Sequence, residues 1–181
     1  MKKVLLPLAP GFEVIEAATV LDVLHRVRIA VTVAAHDMNP VPSTHGVQIQ
    51  PDTTLDDVNP ADFDLLVVLG GDGALRLKED PRVRRIVEAM DAKGAFLAAI
   101  CRGPAVLAAA GVLDGKRATC SPSARDEIAG ATYVDERVVV DGRVITSRLP
   151  GTAMEFALEL VKALCGERHA DYVAAAVAAR R

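Results

Sequence analysis

Short apolar runs alternate with longer stretches of helical periodicity along the chain. The runs are rich in Val, Leu, Ile and Ala, which is typical of parallel strands whose two faces are both buried. Strands that alternate with helices predict right-handed βαβ units and one parallel sheet. The predicted core strands are Val4–Leu8, Ile29–Ala34, Leu65–Leu69 and Ala95–Ile100.

A hairpin and a set of helices complete the predicted pattern. Asp141-Gly142 separates two further strands, Val138–Asp141 and Arg143–Thr146, as in a type I′ turn. We therefore expect one α/β domain over residues 1–181, with a mostly parallel central sheet and helices on both faces. The predicted helices are Glu13–Val27, Arg82–Lys93, Arg102–Ala110, Ser123–Ile128, Thr152–Cys165 and the Ala-rich Arg168–Ala179.

Composition and charge exclude several classes of partner. The formal net charge is −3 and no basic stripe carries interleaved aromatic residues, so we expect no nucleic-acid partner. No apolar run is long enough to span a membrane, so we expect no membrane partner. Three cysteines without a CxxC pair, and histidines without metal-ligand spacing, predict reduced thiols, a cytoplasmic location and no metal.

Cys101 is the first candidate for chemistry. Ligands of parallel sheets bind at the carboxyl ends of the strands, and Cys101 directly follows such an end. The pattern Ala99-x-Cys101-x-Gly103 resembles a nucleophile elbow, in which small neighbours allow a strained turn. Backbone N–H groups and the dipole of the following helix are expected to lower the thiol pKa. The alternative is a buried cysteine that packs as a small hydrophobic residue.

Glu16 is the second candidate. On a helical wheel, Glu13 and Glu16 fall within the arc of apolar residues of the first predicted helix. A carboxyl group on a buried face needs a partner or a proton. A protonated Glu16 could donate a hydrogen bond to the Cys101 thiolate and move a proton in catalysis. For Glu13, an ordinary acid in the first helical turn is an equally good interpretation.

Gly70 and Gly71 follow the apolar strand that ends at Leu69. Two glycines at this position allow backbone N–H groups to approach a ligand and to form an oxyanion hole with the Cys101 turn. A plain tight turn explains them almost as well, and the segment lacks the spacing of a dinucleotide-binding loop. Of the four histidines, only His45 is retained as a candidate.

Four segments together resemble the DJ-1/ThiJ/PfpI superfamily, most closely its DJ-1 branch. They are PGFEVIE near the start, LGG at 69–71, AAICRGP around Cys101 and TSRLPGTAMEFAL toward the end, in order over nearly the whole chain. The resemblance implies a flavodoxin-like three-layer sandwich and a homodimer. It also implies that Cys101 is reactive and easily oxidised, with Glu16 as its protonated carboxyl partner.

The resemblance further implies a pocket to which both subunits contribute. One subunit supplies an oxyanion site and a bordering segment, and its partner adds two basic side chains. The oxyanion residues are Gly70, Gly71 and the backbone of Arg102, the bordering residues are Ser147 and Arg148, and the partner residues are Arg26 and His45.

The family is described as glyoxalases that act on methylglyoxal without glutathione, protein deglycases and redox-responsive chaperones. We therefore expect a cysteine-dependent enzyme without a cofactor that acts on a small aldehyde or dicarbonyl, or on early protein adducts of such compounds. The alternative from another class is an oxidative-stress sensor or chaperone in which Cys101 is oxidised to sulfinate. A third alternative, a cysteine peptidase, requires a histidine close to Cys101.

Two departures from the family pattern bear on this choice. Ser121 stands where close relatives carry a pocket histidine, and Arg102 stands where the protease-like branch has a histidine after the nucleophile. Neither position can supply a Cys–His dyad, which argues strongly against a peptidase and moderately against a glyoxalase. Cys120, beside Ser121, is either a resolving thiol for Cys101 or, as is commoner for such a residue, a packed small side chain.

Overall fold

Six α-helices and eleven strands are present among residues 1–179, which the computed structural model describes. Arg180 and Arg181, the last two residues of the predicted domain, lie outside the described residues. The helices are α1 (Val14–Arg26), α2 (Gly73–Glu79), α3 (Pro81–Ala92), α4 (Pro104–Ala109), α5 (Ala153–Cys165) and α6 (Glu167–Ala176). The strands are β1 (Lys3–Leu8), β2 (Ala30–Ala35), β3 (Val41–Pro42), β4 (Gln48–Ile49), β5 (Thr53–Thr54), β6 (Leu65–Val68), β7 (Phe96–Ile100), β8 (Arg117–Ala118), β9 (Thr132–Tyr133), β10 (Val138–Asp141) and β11 (Val144–Ser147).

The central sheet has seven strands in the order β10-β11-β7-β6-β1-β2-β5. Neighbouring strands are parallel, apart from the antiparallel β10–β11 hairpin at one edge. The pairs β3–β4 and β8–β9 form two small separate sheets. The predicted hairpin and the mostly parallel sheet are both confirmed. The predicted type I′ turn is wrong, because Gly142 has a φ of +60° whereas neither Asp141 nor Arg143 has a positive φ.

Successive residues of the central strands pack into two different cores. In β1, Val4 and Leu6 belong to one apolar cluster, whereas Leu5 belongs to the other. In β6, Leu66 and Val68 contact the second cluster, as expected for strands whose side chains alternate between faces. Both faces are therefore buried, which is why these strands are continuous apolar runs.

Helices cover the sheet in two layers. The first cluster contains the apolar faces of α1, α5 and α6, and the second contains those of α2, α3 and α4. Helix, sheet and helix thus make the predicted three-layer sandwich. The carboxyl ends of β6 and β7, at the centre of the sheet, meet the start of α1.

Several elements differ from the prediction. The segment after Gly71 forms the short helix α2, which is not among the predicted helices. Residues Pro122–Ile128 form a 3₁₀ helix rather than an α-helix. The short strands β3, β4, β5, β8 and β9 are too brief to give a periodic signal in the sequence.

Three properties of the described chain bear on its chemistry. No helix within residues 1–179 is both long enough and apolar enough to cross a lipid bilayer. The same residues contain no group of three His, Cys, Asp or Glu side chains that could hold a metal ion. The three cysteines are free thiols.

Candidate active site

Cys101 occupies the turn between β7 and α4. Its φ is +61°, a left-handed conformation that is uncommon outside glycine. Its N–H donates to the Ser147 carbonyl oxygen (2.9 Å), and its own carbonyl oxygen accepts from the Ser121 N–H (2.8 Å). The turn therefore has the strained geometry of a nucleophile elbow, and the cysteine is partly exposed.

Glycines around this turn leave room for the nucleophile. A Cβ atom on Gly70 would lie 2.6 Å from the Cβ and 3.0 Å from the Sγ of Cys101. A Cβ atom on Gly103 would overlap the carbonyl oxygen of Val68 in β6. A larger residue at either position would therefore have to displace the thiol or the backbone.

Glu16 lies in the first turn of α1 and is completely buried. The Gly70 N–H donates a 2.7 Å hydrogen bond to its Oε2 atom. Its Oε1 atom is buried without an assigned hydrogen-bond partner among residues 1–179. The carboxyl group also interacts with the Cys101 thiol. The acid and the sulfur that the sequence predicts to act together therefore influence each other's ionisation.

Burial raises the pKa of Glu16 from its ordinary 4.5 to about 7. The hydrogen bond from Gly70 lowers this pKa, the charge of Glu13 raises it, and the hydrogen bond with Cys101 lowers it. Burial dominates because a carboxylate loses its hydration in the core. The proton that the sequence analysis expects on Glu16 therefore has a physical cause.

The pKa of the Cys101 thiol is raised, and the prediction of a lowered value is wrong. Burial raises it to about 11, and the negative charge of Glu16 is the second cause. Hydrogen bonds from the backbone N–H groups of Arg102 and Gly71, and from the Ser121 side chain, lower the pKa without offsetting burial. The sequence pattern indicates such donors, but it does not reveal how deeply the sulfur lies.

Glu16 and Cys101 titrate as a pair. The pair holds one proton between a pH of about 7 and a pH of about 11. When Glu16 carries that proton, the charge that opposes ionisation of Cys101 is absent, and three donors remain around the sulfur. Whether Cys101 is ionised therefore depends on which of the two groups holds the shared proton.

Gly71 and Arg102 direct backbone N–H groups at the sulfur. Gly71 has a φ of +79°, and a Cβ atom there would overlap the Gly11 carbonyl oxygen. The Arg102 side chain instead lies toward Glu127, with 3.7 Å between Nε and Oε1. The two N–H groups can stabilise an oxyanion on a carbon bonded to the sulfur, as the sequence analysis expects of Gly71 and the Arg102 backbone.

Ser121 and Cys120 are adjacent in sequence but have different surroundings. Ser121 is 4% exposed, its side chain lowers the pKa of the Cys101 thiol, and its Oγ atom lies 3.1 Å from that of Ser123. Cys120 is completely buried in the apolar cluster with α2, α3 and α4, and burial raises its pKa to about 11. Its surroundings fit a packed small side chain rather than an accessible resolving thiol.

The segment around Ser147 and Arg148 positions the nucleophile. The Ser147 carbonyl holds Cys101, while its buried hydroxyl lies 2.6 Å from Thr152 Oγ1. Ser147 therefore holds the nucleophile through its backbone carbonyl, and its place at the border of the pocket stays a prediction. Arg148 forms an ion pair with Asp135, and its buried Nε lacks a hydrogen-bond partner among the described residues.

Glu13 and His45 lie close to each other at the start of α1. Glu13 is the N-cap residue: its Oε1 atom accepts from the Ile15 N–H, and its Oε2 atom lies 3.9 Å from Nε2 of the exposed His45. Arg26 is in the last turn of the same helix and pairs with Asp22. Arg26 is therefore remote from the nucleophile within one chain, and contributions of Arg26 and His45 to a partner subunit stay predictions.

Sequence reasoning missed two hydroxyl residues of the site. Thr152 anchors the Ser147 hydroxyl, and Ser123 lies next to the Ser121 hydroxyl. Ser123 comes two positions after Ser121, and Thr152 comes four positions after Arg148, each within a 3₁₀ turn that begins with proline. In both cases a turn that begins with proline places a hydroxyl side chain next to a site residue. This repeated arrangement is the signal in the sequence that could have identified Ser123 and Thr152.

Comparisons with known proteins identify the family of the chain. The DJ-1/PfpI family matches residues 2–163. The chain is similar to Protein DJ-1 homolog B of Arabidopsis thaliana, with 42% identity over 173 residues, and this match spans 93% of the chain but only 40% of that relative. It is 39% identical over 156 residues to a glutathione-independent glyoxalase of Caenorhabditis elegans, covering 85% of this chain and 83% of that one. It is 35% identical over 164 residues to a deglycase of Pyrococcus horikoshii, covering 90% and 99% respectively.

A solved structure shows the same architecture. The crystal structure of Drosophila melanogaster DJ-1beta matches with a TM-score of 0.94 and 40% identity, and the match covers 99% of both chains. This agreement confirms the flavodoxin-like sandwich that the sequence resemblance implies. The chain therefore belongs to the DJ-1/PfpI family.

Proposed function

We propose that the protein is a cysteine-dependent enzyme that converts methylglyoxal-type dicarbonyls to hydroxy acids, or acts on their early protein adducts, without a cofactor. The observation that carries this proposal is the contact of the buried Glu16 carboxyl with the Cys101 thiol at a strained turn. Isomerisation of an aldehyde adduct needs such a nucleophile beside a group that moves protons. The names of two relatives, a glyoxalase and a deglycase, support the same reaction class.

The first step is addition of sulfur to the aldehyde carbon. The Cys101 thiolate forms a C–S bond, and the aldehyde oxygen becomes an oxyanion that takes up a proton to give a hemithioacetal. The Gly71 and Arg102 N–H groups, which otherwise bond the sulfur, are placed to stabilise that oxyanion.

The second step moves a proton between carbons. The Glu16 carboxylate removes the proton from the former aldehyde carbon and returns one to the adjacent carbon, which converts the hemithioacetal to a thioester of lactate. Water then hydrolyses the thioester, so that lactate leaves and the thiol is restored. A carboxyl pKa of about 7 suits this role because the group can both accept and donate near neutral pH.

Lactate formation from methylglyoxal tests the proposal in a buffer free of metals, amines and thiols. Wild type and Cys165→Ala are expected to form lactate, and Cys101→Ala is expected to show only the uncatalysed rate. Cys165 is the matched control because it is also a partly exposed free thiol, at the end of α5. Equal rates for wild type and Cys101→Ala would refute the proposal.

Glu16→Gln tests the proton-transfer step separately. The amide retains a hydrogen-bond donor but cannot exchange protons, so kcat is expected to fall by about 10²–10⁴-fold. Alkylation of Cys101 should persist in the same variant, which distinguishes a lost proton carrier from a lost nucleophile. A kcat equal to that of wild type would remove Glu16 from the chemistry.

A redox sensor is the second candidate, and the donors around Cys101 favour it specifically. Gly71, Arg102 and Ser121 bond the sulfur and could equally bond the oxygens of a sulfinate. Intact mass after mild peroxide treatment distinguishes the two functions. A stable gain of two oxygens on Cys101, without lactate formation by the untreated protein, would support the sensor.

We also infer that the protein works as a cytoplasmic homodimer. Three free cysteines suit a reducing compartment. Ile15 and Val47 are apolar side chains that are 55% and 47% exposed, and Ile15 directly precedes Glu16. A second copy that covers Ile15 could bring its Arg26 or His45 near the pocket. Sedimentation at micromolar concentration should give a dimer, and Ile15→Glu should weaken it.

A further inference from the structure

The side chain of Arg102 takes no part in the proposed mechanism, although this residue directly follows the nucleophile. The side chain is only 26% exposed, so most of a permanent positive charge is withdrawn from water. Its ion pair with Glu127 is loose, with 3.7 Å between Nε and Oε1, and no hydrogen bond joins the guanidinium to another of residues 1–179. Because a guanidinium has five N–H donors, Arg102 retains donors for an anionic ligand.

Glu127 does not neutralise this charge alone, because Glu127 is shared with Lys78. Lys78 Nζ lies 2.8 Å from Glu127 Oε2, a much closer pair than that of Arg102. Three partly buried side chains thus hold two positive charges and one negative charge. The acidic neighbours Glu79 and Asp126 are exposed and are screened by water. The basic cluster formed by Lys78, Arg102 and Glu127 therefore keeps one uncompensated positive charge.

The basic cluster begins beside the Cys101 sulfur, in the helical layer opposite to that of Glu16. A Cβ atom on Gly70 would lie 3.0 Å from Cys101 Sγ and 3.1 Å from the Arg102 N atom, so the backbone of Arg102 is close to the sulfur. Lys78 belongs to α2, in the layer with α3 and α4, whereas Glu16 belongs to α1 on the other face of the sheet. A substrate bonded to the sulfur thus has a carboxyl group on one side and a positive charge on the other.

We infer that the Arg102 guanidinium binds a carboxylate of the substrate, so that the site prefers acidic α-oxoaldehydes to neutral methylglyoxal. A guanidinium can hold a carboxylate by two parallel hydrogen bonds. The reacting carbonyl groups then lie at Cys101, and the charged end lies away from Glu13 and Glu16, whose charges would repel it. With 4,5-dioxopentanoate, the steps proposed for methylglyoxal give 2-hydroxyglutarate, and water is the only co-reactant. This preference rests on the proposed function of Cys101.

Two thiol reagents that differ in charge test the basic cluster without requiring turnover. Methanethiosulfonates that carry either a sulfonate or a hydroxyl group on the same short arm form a disulfide with the Cys101 thiolate and release methanesulfinate. The mass of the peptide that contains Cys101 follows both reactions. The ratio of the two rates, sulfonate over hydroxyl, cancels any change in the thiolate itself. Arg102→Gln is expected to lower this ratio about three- to tenfold, and Arg102→Lys at most about twofold.

The two neighbours of Arg102 should change the same ratio in opposite directions. Glu127→Gln leaves both positive charges unopposed and should raise the ratio about two- to threefold, whereas Lys78→Met should lower it by a similar factor. Arg84→Ala is the matched control, because Arg84 pairs with Glu88 on the exposed face of α3, and it should keep the wild-type ratio. A wild-type ratio for Arg102→Gln would overturn the inference. A ratio for Glu127→Gln at or below that of wild type would also overturn it, even if Arg102→Gln does not fold.

Turnover of 4,5-dioxopentanoate and of methylglyoxal tests the substrate preference. Wild type should have the higher kcat/KM with the acidic compound, and Arg102→Gln should lower the acidic-to-neutral ratio of kcat/KM about tenfold. The same ratio in both proteins, or a wild-type preference for methylglyoxal, would overturn the inference. If wild type converts neither compound, the proposed function fails, and the methanethiosulfonate rates still decide whether Arg102 attracts anions to Cys101.

Discussion

At the scale of single residues, Glu16 and Cys101 control each other's charge. Glu16 is buried between the Gly70 N–H and the thiol, and its pKa lies near neutral pH because burial outweighs its hydrogen bonds. Ionised Glu16 opposes ionisation of Cys101, whereas protonated Glu16 permits it. The site thus keeps one mobile proton in the pH range where a general acid and base is most effective.

Burial of Glu16 makes stability depend on pH. Its folded pKa of about 7 exceeds the ordinary 4.5, so the folded state binds more protons between these values. Its stabilising contribution is therefore complete below a pH of about 4.5 and is lost as the pH rises through about 7, by up to about 3 kcal/mol. Glu16→Gln lacks this dependence and should gain stability relative to wild type between pH 5 and pH 8.

Urea unfolding at the two pH values measures this gain. Glu79→Gln, at an exposed position of α2, is the matched control and should keep the pH dependence of wild type. If Glu16→Gln and wild type lose stability in parallel from pH 5 to pH 8, Glu16 does not titrate in the folded protein in this range.

At the scale of elements, the junction of β7 with α4 places the nucleophile. Cys101 adopts its left-handed conformation because Ser147 in β11 and Ser121 in the loop after β8 hold its backbone from two sides. Gly103 lets the chain pass within contact of Val68 in β6. Three elements that are far apart in the sequence therefore fix the position of the Cys101 sulfur. The backbone strain at the turn is tolerated because the surrounding packing holds the backbone in this conformation.

Gly103→Ala tests this junction. The added methyl group would overlap a backbone oxygen in the central sheet, so we expect a loss of about 1–3 kcal/mol in the free energy of unfolding and a lower rate of Cys101 alkylation. Gly151→Ala is the matched control, because a Cβ atom there meets nothing within 4 Å. Thermal unfolding and alkylation of both variants are the measurements. Equal behaviour of the two variants would show that the close approach at Gly103 does not matter.

At the scale of the whole molecule, a charged cluster ties the sheet edge to the helical layer away from the active site. Arg82 in α3 bonds Asp80, Asp56 and the His36 carbonyl, and Asp80 also lies 3.1 Å from His36 Nε2. The cluster joins the end of β2 to the start of α3. The hydrogen bond with Arg82 holds the pKa of Asp80 below its usual range.

Asp80→Asn tests how much the negative charge of Asp80 contributes to the stability of the protein. Asparagine can still cap α3, where Asp80 accepts from the Arg82 N–H at 2.7 Å, but it cannot neutralise the guanidinium. Because the folded-state pKa is depressed, the charge stabilises the fold above the ordinary carboxyl pKa, and this contribution is lost as the pH falls through the folded value. The variant should be less stable than wild type at pH 7, with a smaller difference at pH 3. Asp126→Asn, at an exposed position, is the control.

The parts of this molecule that sequence can predict are those with a local cause. The apolar periods of β1, β6 and β7 and the small residues around Cys101 indicated the sheet and the elbow, because both depend on neighbours in the chain. The helix after Gly71 was missed because its glycines resemble a loop. The raised pKa of Cys101 and the inward-facing role of Ser147 depend on burial by distant segments, which a pattern along one chain does not contain.

The most direct test of the shared proton is the alkylation rate of Cys101 against pH in wild type and in Glu16→Leu. Wild type is expected to show a first rise near pH 7, when the pair loses one of its two protons, and a second near pH 11. Glu16→Leu should show a single rise above pH 9, because burial still raises the thiol pKa and no acid remains to share the proton. Identical profiles for the two proteins would contradict the account.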